Sequence, residues 1–279
     1  MTNTNDRPVL VLGATGKTGS SVAATLSQQG INVRTAGRHD TDVVFDWDDP
    51  TTHGPALDGV GAIYLLSPVM RTDYAPIVSK FLDEAERAGV GHVTYLSAYG
   101  MEHAPPEVVI RAVELDLLSR SALTHSFIRP SWFMQNFSAS FLIPMNDVIA
   151  VPNGDGAEAF VSTDDIAAVA AATLADPAAH AGKSYAPTGP EALTVGQAAE
   201  IISGAAGRTI TYFPIEQDAW IDAMTGAGVP EDYTAILRIL TSTVASGNGS
   251  RPNDDVQTVT GRPPTSFAEF AATAAPVWK

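Results

Sequence analysis

The sequence predicts an α/β fold, a doubly wound parallel sheet followed by a smaller, mostly helical C-terminal domain. An apolar strand at Val9–Leu12 runs into a turn with glycines at 13, 16 and 19, and an amphipathic helix follows. Strand and helix patterns then alternate through the first half of the chain, which is typical of a parallel sheet with helices on both faces. In the second half the pattern becomes more helical.

The first strand, turn and helix predict a site for a pyrophosphate. Gly13 suits a tight turn, Gly16 lets backbone amides approach a phosphate, and Gly19 lets the helix lie close to the strand. A P-loop would need glycine where Val11 stands, so a nucleotide-hydrolysis motif is disfavoured. A glycine-rich turn that binds nothing is the remaining alternative. The order of elements favours a Rossmann-type dinucleotide site.

The second strand, at residues 31–36, indicates which dinucleotide is bound. It ends in Gly37-Arg38, at the position where an acidic residue usually holds the ribose hydroxyls of NAD. A guanidinium there matches a 2′-phosphate, and Lys17 across the turn supplies a second cation. The sequence therefore predicts NADP(H) as the cofactor. The alternative is that Arg38 and Lys17 are ordinary solvated charges.

The later elements follow the same alternation. Strands are predicted at residues 43–45, 61–66, 92–97 and 124–129, with helices at 77–85 and 108–117 between them. In the second half, helices begin near Ser162 or Thr163, after a capping box at Thr194 and Gln197, at Pro230, and at Ser266. Residues 246–264 are predicted as a loop. We expect a dinucleotide-binding domain at 1–150, to which the helix near 164–175 returns, and a smaller substrate-binding or lid domain at 151–279.

Composition excludes several classes of function. The 279 residues carry a net charge of −15, so binding to nucleic acid or to an anionic membrane is not expected. Cysteine is absent and the six histidines are scattered, so no metal site is predicted. The first seven residues are polar, and no apolar run reaches the ~20 residues that cross a bilayer. These features predict a cytoplasmic protein.

Several motifs together resemble the NmrA-like atypical short-chain dehydrogenase/reductases, over nearly the whole chain. The resemblance rests on Gly13-Ala-Thr-Gly16-Lys-Thr-Gly19, Gly37-Arg38, Phe45-Asp-Trp-Asp-Asp-Pro50, Tyr95-Leu-Ser97, Ile128-Arg-Pro-Ser-Trp-Phe-Met-Gln-Asn136 and Asp164-Asp-Ile-Ala-Ala-Val169. That family includes triphenylmethane reductases, NADPH-dependent quinone reductases and ergot-alkaloid-type reductases. It also includes redox-sensing regulators that bind NADP without turning over a substrate.

The resemblance implies roles for individual residues. It implies phosphate contacts by Thr15, Gly16, Lys17 and Thr18, and a 2′-phosphate contact by Arg38. It implies that the adenine is bordered by Asp46 and Trp47, and that the nicotinamide ribose is lined by Leu66, Ser67, Pro68, Ser97, Ala98 and Tyr99. The nicotinamide and substrate region is implied for Pro130, Trp132 and Phe133. The alternatives are that Trp47 and Phe133 are core residues and that Asp46 forms a turn.

The chain departs from the wider superfamily at the catalytic residues. Ordinary members use a Tyr followed four positions later by Lys, whereas the comparable helix here reads Glu107-Val-Val-Ile-Arg111-Ala-Val-Glu114. Arg111 stands in the lysine place and could hold the nicotinamide ribose, but it is a poor acid. Tyr99 is the first candidate proton donor; the alternative is a tyrosine that only borders the cleft.

The aromatic segment after the sixth strand predicts a site for a flat apolar acceptor. Trp132, Phe133 and Phe137 fall at the carboxyl end of the sheet, where open α/β folds bind ligands, although packing would explain them equally well. The predicted function is NADPH-dependent hydride transfer to a small hydrophobic conjugated or aromatic acceptor, such as a quinone, iminium ion, enone or dye. The alternative is a non-catalytic NADP(H)-sensing regulator that acts through a protein partner. The subunit arrangement, for instance a homodimer, stays open.

Overall fold

A seven-stranded sheet forms the centre of the protein. The structure is a computed structural model and describes residues 7–279. Its strands are β1 (Val9–Leu12), β2 (Val33–Gly37), β3 (Val43–Val44), β4 (Ala62–Leu65), β5 (His92–Leu96), β6 (Thr124–Ile128), β7 (Val148–Ala150), β8 (Ala157–Glu158), β9 (Lys183–Tyr185), β10 (Leu193–Thr194) and β11 (Thr211–Phe213). The order in the large sheet is β3-β2-β1-β4-β5-β6-β9.

All strand pairs in this sheet are parallel, which confirms the predicted doubly wound fold. The chain moves outward from β1 in one direction through β2 and β3, then returns to place β4 on the other side of β1. A crevice opens at such a reversal, at the carboxyl ends of the strands, and ligands of this fold class bind there.

Helices cover both faces of the sheet and pack the C-terminal part of the chain. They are α1 (Gly19–Gln28), α2 (His53–Leu57), α3 (Ala75–Arg87), α4 (Val109–Ser119), α5 (Asn136–Ala139), α6 (Thr163–Ala175), α7 (Pro177–His180), α8 (Val195–Ala206), α9 (Gln217–Gly226), α10 (Glu231–Ala245), α11 (Asp255–Thr260) and α12 (Phe267–Ala274). One core lies between the sheet and α2, α3 and α4, and a second between the sheet and α1, α6 and α11.

A third core holds the C-terminal region together. It is built from α5, α8, α9, α10 and α12 with the short parallel pair β7–β11, and buried aromatic rings such as Phe137, Phe160 and Phe267 lie at its centre. The predicted capping box of Thr194 with Gln197 is confirmed at the start of α8, and a second box, Ser266 with Glu269, begins α12 at the predicted helix start. These boxes satisfy amides that a helix terminus otherwise leaves without partners.

The structure corrects the loop predicted at residues 246–264. The six-residue helix α11 lies within it, and Val256 is fully buried against the α1 and α6 side of the sheet. The Asp255 carboxylate accepts a hydrogen bond of 2.6 Å from the Ala186 amide and so anchors the segment. A helix this short contains too few apolar residues to show a helical period.

Two elements beyond residue 150 lie on the large sheet. Helix α6 packs against α1, and strand β9 pairs with β6, although its sequence Lys-Ser-Tyr carries no apolar pattern. The division into domains at 1–150 and 151–279 remains a prediction. Six of the seven polar N-terminal residues, Met1 to Asp6, lie outside the described residues. From residue 7 to residue 279, none of the helices has both the length and the apolar character needed to cross a bilayer.

Candidate active site

The glycine turn after β1 has a geometry that only glycine permits at two positions. Gly13 has a φ of +64°, and a Cβ there would lie 2.5 Å from Cδ2 of Leu66. A Cβ at Gly19 would lie 2.2 Å from the carbonyl oxygen of Gly13, well inside van der Waals contact. The turn is closed by the Gly16 amide, which donates to the Gly13 carbonyl oxygen at 2.8 Å. The first residue of α1 therefore packs directly on the turn.

The turn leaves backbone donors free at the start of a helix. Within residues 7–279, the amides of Thr15, Lys17 and Thr18 make no hydrogen bond, and α1 begins at the next residue. The first turn of this ten-residue helix contains no acidic side chain. Free amides and a helix N-terminus attract an anion, so the turn fits the pyrophosphate of a dinucleotide. Partial burial lowers the pKa of the Lys17 amine beside it.

Arg38 lies one residue after the carboxyl end of β2. The amide of Ala14 donates to the carbonyl of Ala36 at 3.3 Å, so the glycine turn and the end of β2 are neighbours. Arg38 is exposed and makes no ion pair or hydrogen bond with residues 7–279. Arg34 on the same strand differs, since its guanidinium donates to the carbonyls of Ala56 and Asp58. Arg38 thus keeps all its donors for a ligand.

The predicted adenine border, Asp46 and Trp47, belongs to a segment that packs as a cluster of aromatic rings. Phe45, Trp47, His53 and Phe81 contact one another with ring centroids 4.9 to 5.8 Å apart. The Asp46 carboxylate accepts a hydrogen bond of 3.0 Å from the Asp48 amide, which is a turn-forming role. Trp47 is half-buried against the core, which is a packing role. Contact of Asp46 and Trp47 with adenine remains a prediction.

The ends of β4, β5 and β6 bring several predicted residues together. Leu66 and Ser67 follow β4, while Ser97 follows β5 and donates its amide to the Ile128 carbonyl at 2.8 Å. The amide of Tyr99 donates to the carbonyl of Pro130 at 3.1 Å, and the Tyr99 side chain is 41% exposed. Tyr99 therefore borders the carboxyl edge of the sheet and is exposed to solvent.

A buried carboxylate lies directly below this edge. Glu114 on α4 is fully buried and accepts hydrogen bonds from Ser97 Oγ at 2.6 Å and Arg111 Nη1 at 2.7 Å. Arg129 donates from Nε at 2.8 Å and from Nη2 at 3.0 Å. Burial alone would raise the pKa of Glu114, but the hydrogen bonds from Arg129, Ser97 and Arg111 hold it below its usual value. We call these four side chains the Glu114 network.

The sequence did not point to Glu114, Arg129, Tyr95 or Tyr74. Tyr95 is fully buried with its hydroxyl 3.1 Å from Ser67 Oγ, and burial raises the pKa of Tyr95 and of Tyr74. One signal existed for Glu114. It stands among Val109, Val113 and Leu117 on the buried face of α4, and a charge on an apolar face requires a partner.

The aromatic segment after β6 divides into two environments. Trp132 is half-buried and contacts Phe141 edge to face at 5.8 Å; Phe133 pairs with Val161 and is also half-buried. Phe137, in contrast, is fully buried between Phe160 and Phe267, at ring distances of 5.1 and 5.2 Å. Phe137 is therefore enclosed in the C-terminal core, against which Trp132 also packs, whereas Phe133 packs against the core on the α1 and α6 side of the sheet. A place for Phe137 in a substrate pocket stays a prediction.

A doubly wound parallel sheet with this glycine turn defines a Rossmann-type dinucleotide-binding fold. The sequence model of the NmrA-like family matches residues 5–259, and the chain belongs to that family. The family resemblance seen in the sequence motifs is therefore confirmed.

Two curated relatives match almost the whole chain. The uncharacterized oxidoreductase YesF of Bacillus subtilis is 36% identical, over 97% of this chain and 96% of that protein. Agroclavine dehydrogenase of Claviceps fusiformis is 32% identical, over 97% of this chain and 98% of that protein.

Solved structures share the fold at lower identity. Triphenylmethane reductase of Citrobacter sp., complexed with NADP(H), has a TM-score of 0.72 at 22% identity, covering 96% of this chain and 99% of that one. NmrA, a negative transcriptional regulator in complex with NADP, has a TM-score of 0.74 at 15% identity, covering 98% of this chain and 96% of that one. At these identities the likeness establishes the fold alone.

Proposed function

We propose that this chain is an NADPH-dependent reductase that transfers hydride to a small hydrophobic acceptor with a conjugated or aromatic system. The observation that carries the proposal is the free guanidinium of Arg38 beside an intact, donor-rich glycine turn. The class, an NAD(P)H-dependent oxidoreductase of the atypical short-chain dehydrogenase/reductase type, is supported by relatives named as an oxidoreductase and a dehydrogenase.

Electrostatics favour NADP(H) over NAD(H) at this turn. The chain carries a net charge of −15, so an anionic cofactor depends on local cations. Arg38 can give a 2′-phosphate a bidentate contact, and Lys17 adds a charge across the turn. An NAD(H) site would instead call for an acidic residue at the end of β2.

The acceptor would lie at the carboxyl edge of the sheet, near Tyr99, Trp132 and Phe133. NADPH supplies the hydride when it is bound. The half-buried rings of Trp132 and Phe133 offer flat apolar surface, and an acceptor held about 3 to 3.5 Å from the hydride source needs little further activation. Tyr99 is the proposed proton donor because it is exposed at this edge of the sheet. For a cationic or conjugated acceptor, solvent can supply the proton.

A non-catalytic NADP(H) sensor is the competing proposal. It is favoured by the helix α4, which has no tyrosine to serve as the usual acid and carries Arg111 in the lysine place. It would bind NADPH, would not oxidise it, and would bind a second protein in a cofactor-dependent way.

Oxidation of NADPH in the presence of an acceptor distinguishes the reductase from the sensor. The purified chain is incubated with NADPH and a panel of quinones, iminium ions, triphenylmethane dyes and enones, and the loss of nicotinamide absorbance is followed. We expect saturable oxidation with at least one acceptor class. Tight NADPH binding without oxidation by any of them would contradict the reductase and favour the sensor.

A further inference from the structure

We infer that Glu114 is a positioning residue of this site, which fixes the Ser97 hydroxyl and the Arg111 guanidinium toward the nicotinamide end of the cofactor. The inference rests on the proposed function, because it takes the ends of β4 and β5 as the nicotinamide side of the crevice. Nothing in the sequence motifs assigned Glu114 a role.

The carboxylate has a full set of partners from three elements. Ser97 follows β5, Arg129 follows β6, and Arg111 lies one turn before Glu114 on α4. Every hydrogen bond is between 2.6 and 3.0 Å, and the Glu114 side chain is 0% exposed. Charge-assisted hydrogen bonds of this length are stronger than neutral ones, and burial removes the competition from water.

The contact with Glu114 determines the direction of the Ser97 hydroxyl. An ionised carboxylate can only accept, so Ser97 Oγ must donate its single proton inward. The low pKa of Glu114 keeps the carboxylate ionised. The lone pairs of Ser97 Oγ therefore remain for a donor at the crevice, such as a ribose hydroxyl or a carboxamide N–H. Ser97 acts as an acceptor there and not as an acid.

Arg111 is held by Glu114 but is not saturated by it. A guanidinium has five N–H donors, and within residues 7–279 Arg111 uses only Nη1. Arg129 differs, because it donates hydrogen bonds to both carboxylate oxygens of Glu114 and also forms an ion pair with Glu102 at 3.3 Å. The Arg111 side chain is 18% exposed, so its remaining donors can reach a ligand while the carboxylate fixes their direction.

An ion pair that only stabilises the fold would have the same contacts. The test therefore compares binding of the whole cofactor with binding of its adenosine half alone. Glu114→Gln keeps the side-chain size and removes the charge. Binding of NADPH and of adenosine 2′,5′-bisphosphate, which lacks the nicotinamide half, is measured by calorimetry on the full chain. We expect the Kd for NADPH to rise about tenfold, the effect of one weakened charged contact, with the fragment unchanged within about twofold.

Glu102→Gln is the matched control, since Glu102 contacts Arg129 but neither Ser97 nor Arg111. It should leave the Kd for NADPH within about twofold of the unmodified chain. If Glu114→Gln leaves NADPH binding unchanged, or weakens NADPH and the fragment equally, the positioning role is wrong and Glu114 serves only the fold.

Two further variants keep the inference testable if Glu114→Gln does not fold. Ser97→Ala and Arg111→Met each remove one arm of the network, and each should weaken NADPH but not the fragment. Unchanged NADPH affinity in both would overturn the inference. These measurements are of binding. A chain that binds NADPH but reduces no acceptor would refute the proposed reductase, and the ratio of the two dissociation constants would still decide the role of Glu114.

Discussion

At the scale of single residues, the most informative side chains are those whose donors are unused. Arg38 has no partner within residues 7–279, whereas Arg34 four residues earlier is tied to backbone carbonyls. A buried or paired arginine stabilises the fold, and a free one beside an anion-binding turn is available to a ligand. We therefore propose Arg38 as the residue that decides between NADP(H) and NAD(H).

Replacing Arg38 by Ala should separate the two nicotinamide cofactors. We expect the affinity for NADPH to fall roughly 10- to 100-fold, the effect of a lost charged contact, with NADH changed less than about threefold. Titration of both cofactors by fluorescence measures this. Arg87→Ala is the matched control, because Arg87 is exposed at the end of α3. Helix α3 leads into the amino end of β5, whereas Arg38 follows the carboxyl end of β2. Equal weakening of NADPH and NADH would remove the 2′-phosphate assignment.

Tyr99 can be tested as the proton donor by removing its hydroxyl alone. If Tyr99 is the acid, Tyr99→Phe should lower kcat about 100-fold or more and leave the Kd for NADPH unchanged. Steady-state kinetics with an acceptor that needs a proton measure the effect. Tyr185 lies on β9, and Tyr185→Phe, which loses only a hydroxyl hydrogen-bonded to Nδ1 of His180, should have wild-type kcat. An unchanged kcat in Tyr99→Phe would leave solvent as the proton source.

Individual residues also show where sequence reasoning stopped. The tight geometry of the glycine turn could be predicted because it depends on one short stretch of sequence, whereas the contact of Arg38 with a 2′-phosphate stays a prediction. The Glu114 network could not be predicted, because its members come from β5, α4 and β6, and only the folded sheet brings them together. Phe137 is the opposite case, since its position after β6 suggested a pocket and the structure packs it inside the C-terminal core.

At the scale of elements, the contact between β1, the glycine turn and α1 determines the shape of the cofactor site. The first residue of α1 lies against the carbonyl of Gly13, so the helix N-terminus is brought close to the strand. Strands and helices with clear apolar patterns, such as β1, α3 and α4, were predicted to within two residues at each end. Strand β9 and helix α11 were not, because tertiary contacts rather than apolar periodicity stabilise them.

Replacing Gly19 by Ala should disturb the packing of α1 on the glycine turn. A Cβ at Gly19 would lie 2.2 Å from Gly13 O, so Gly19→Ala must push α1 away from the turn. We expect a loss of about 1–3 kcal/mol in the free energy of unfolding and a large loss of NADPH affinity. Gly204→Ala is the control; Gly204 is exposed on α8 with open space around it, so alanine there should stabilise by about 0.4–1 kcal/mol. Urea unfolding measures both, and full NADPH affinity in Gly19→Ala would contradict the close packing.

At the scale of the whole molecule, His92, His125 and His180 make stability depend on pH. Burial lowers the pKa of His92 to about 4 from an ordinary 6.5, and it also lowers those of His125 and His180. In the unfolded chain these groups bind a proton at higher pH than in the folded one. The contribution of the neutral histidines to the free energy of unfolding is complete above pH 6.5 and is lost as the pH falls toward 4.

The free energy of unfolding should therefore fall by up to about 1.4 kcal/mol per pH unit for His92 alone within this window. Urea unfolding at a series of pH values measures the slope. His92→Gln should reduce the slope even though it removes the hydrogen bond to Thr124, and His39→Gln, at an exposed site, should not change it. An identical slope in His92→Gln would show that His92 does not contribute to acid unfolding.

Following the hydride itself would show whether a cofactor bound at this turn reacts. The purified chain is loaded with NADPH deuterated at the transferable position and mixed with one equivalent of the acceptor that gives the fastest turnover, or of each acceptor class in turn. For a reductase, we expect one deuterium in the reduced product and one oxidised cofactor per chain. Bound NADPH that stays reduced, with no deuterium in any acceptor, would contradict the proposed reductase.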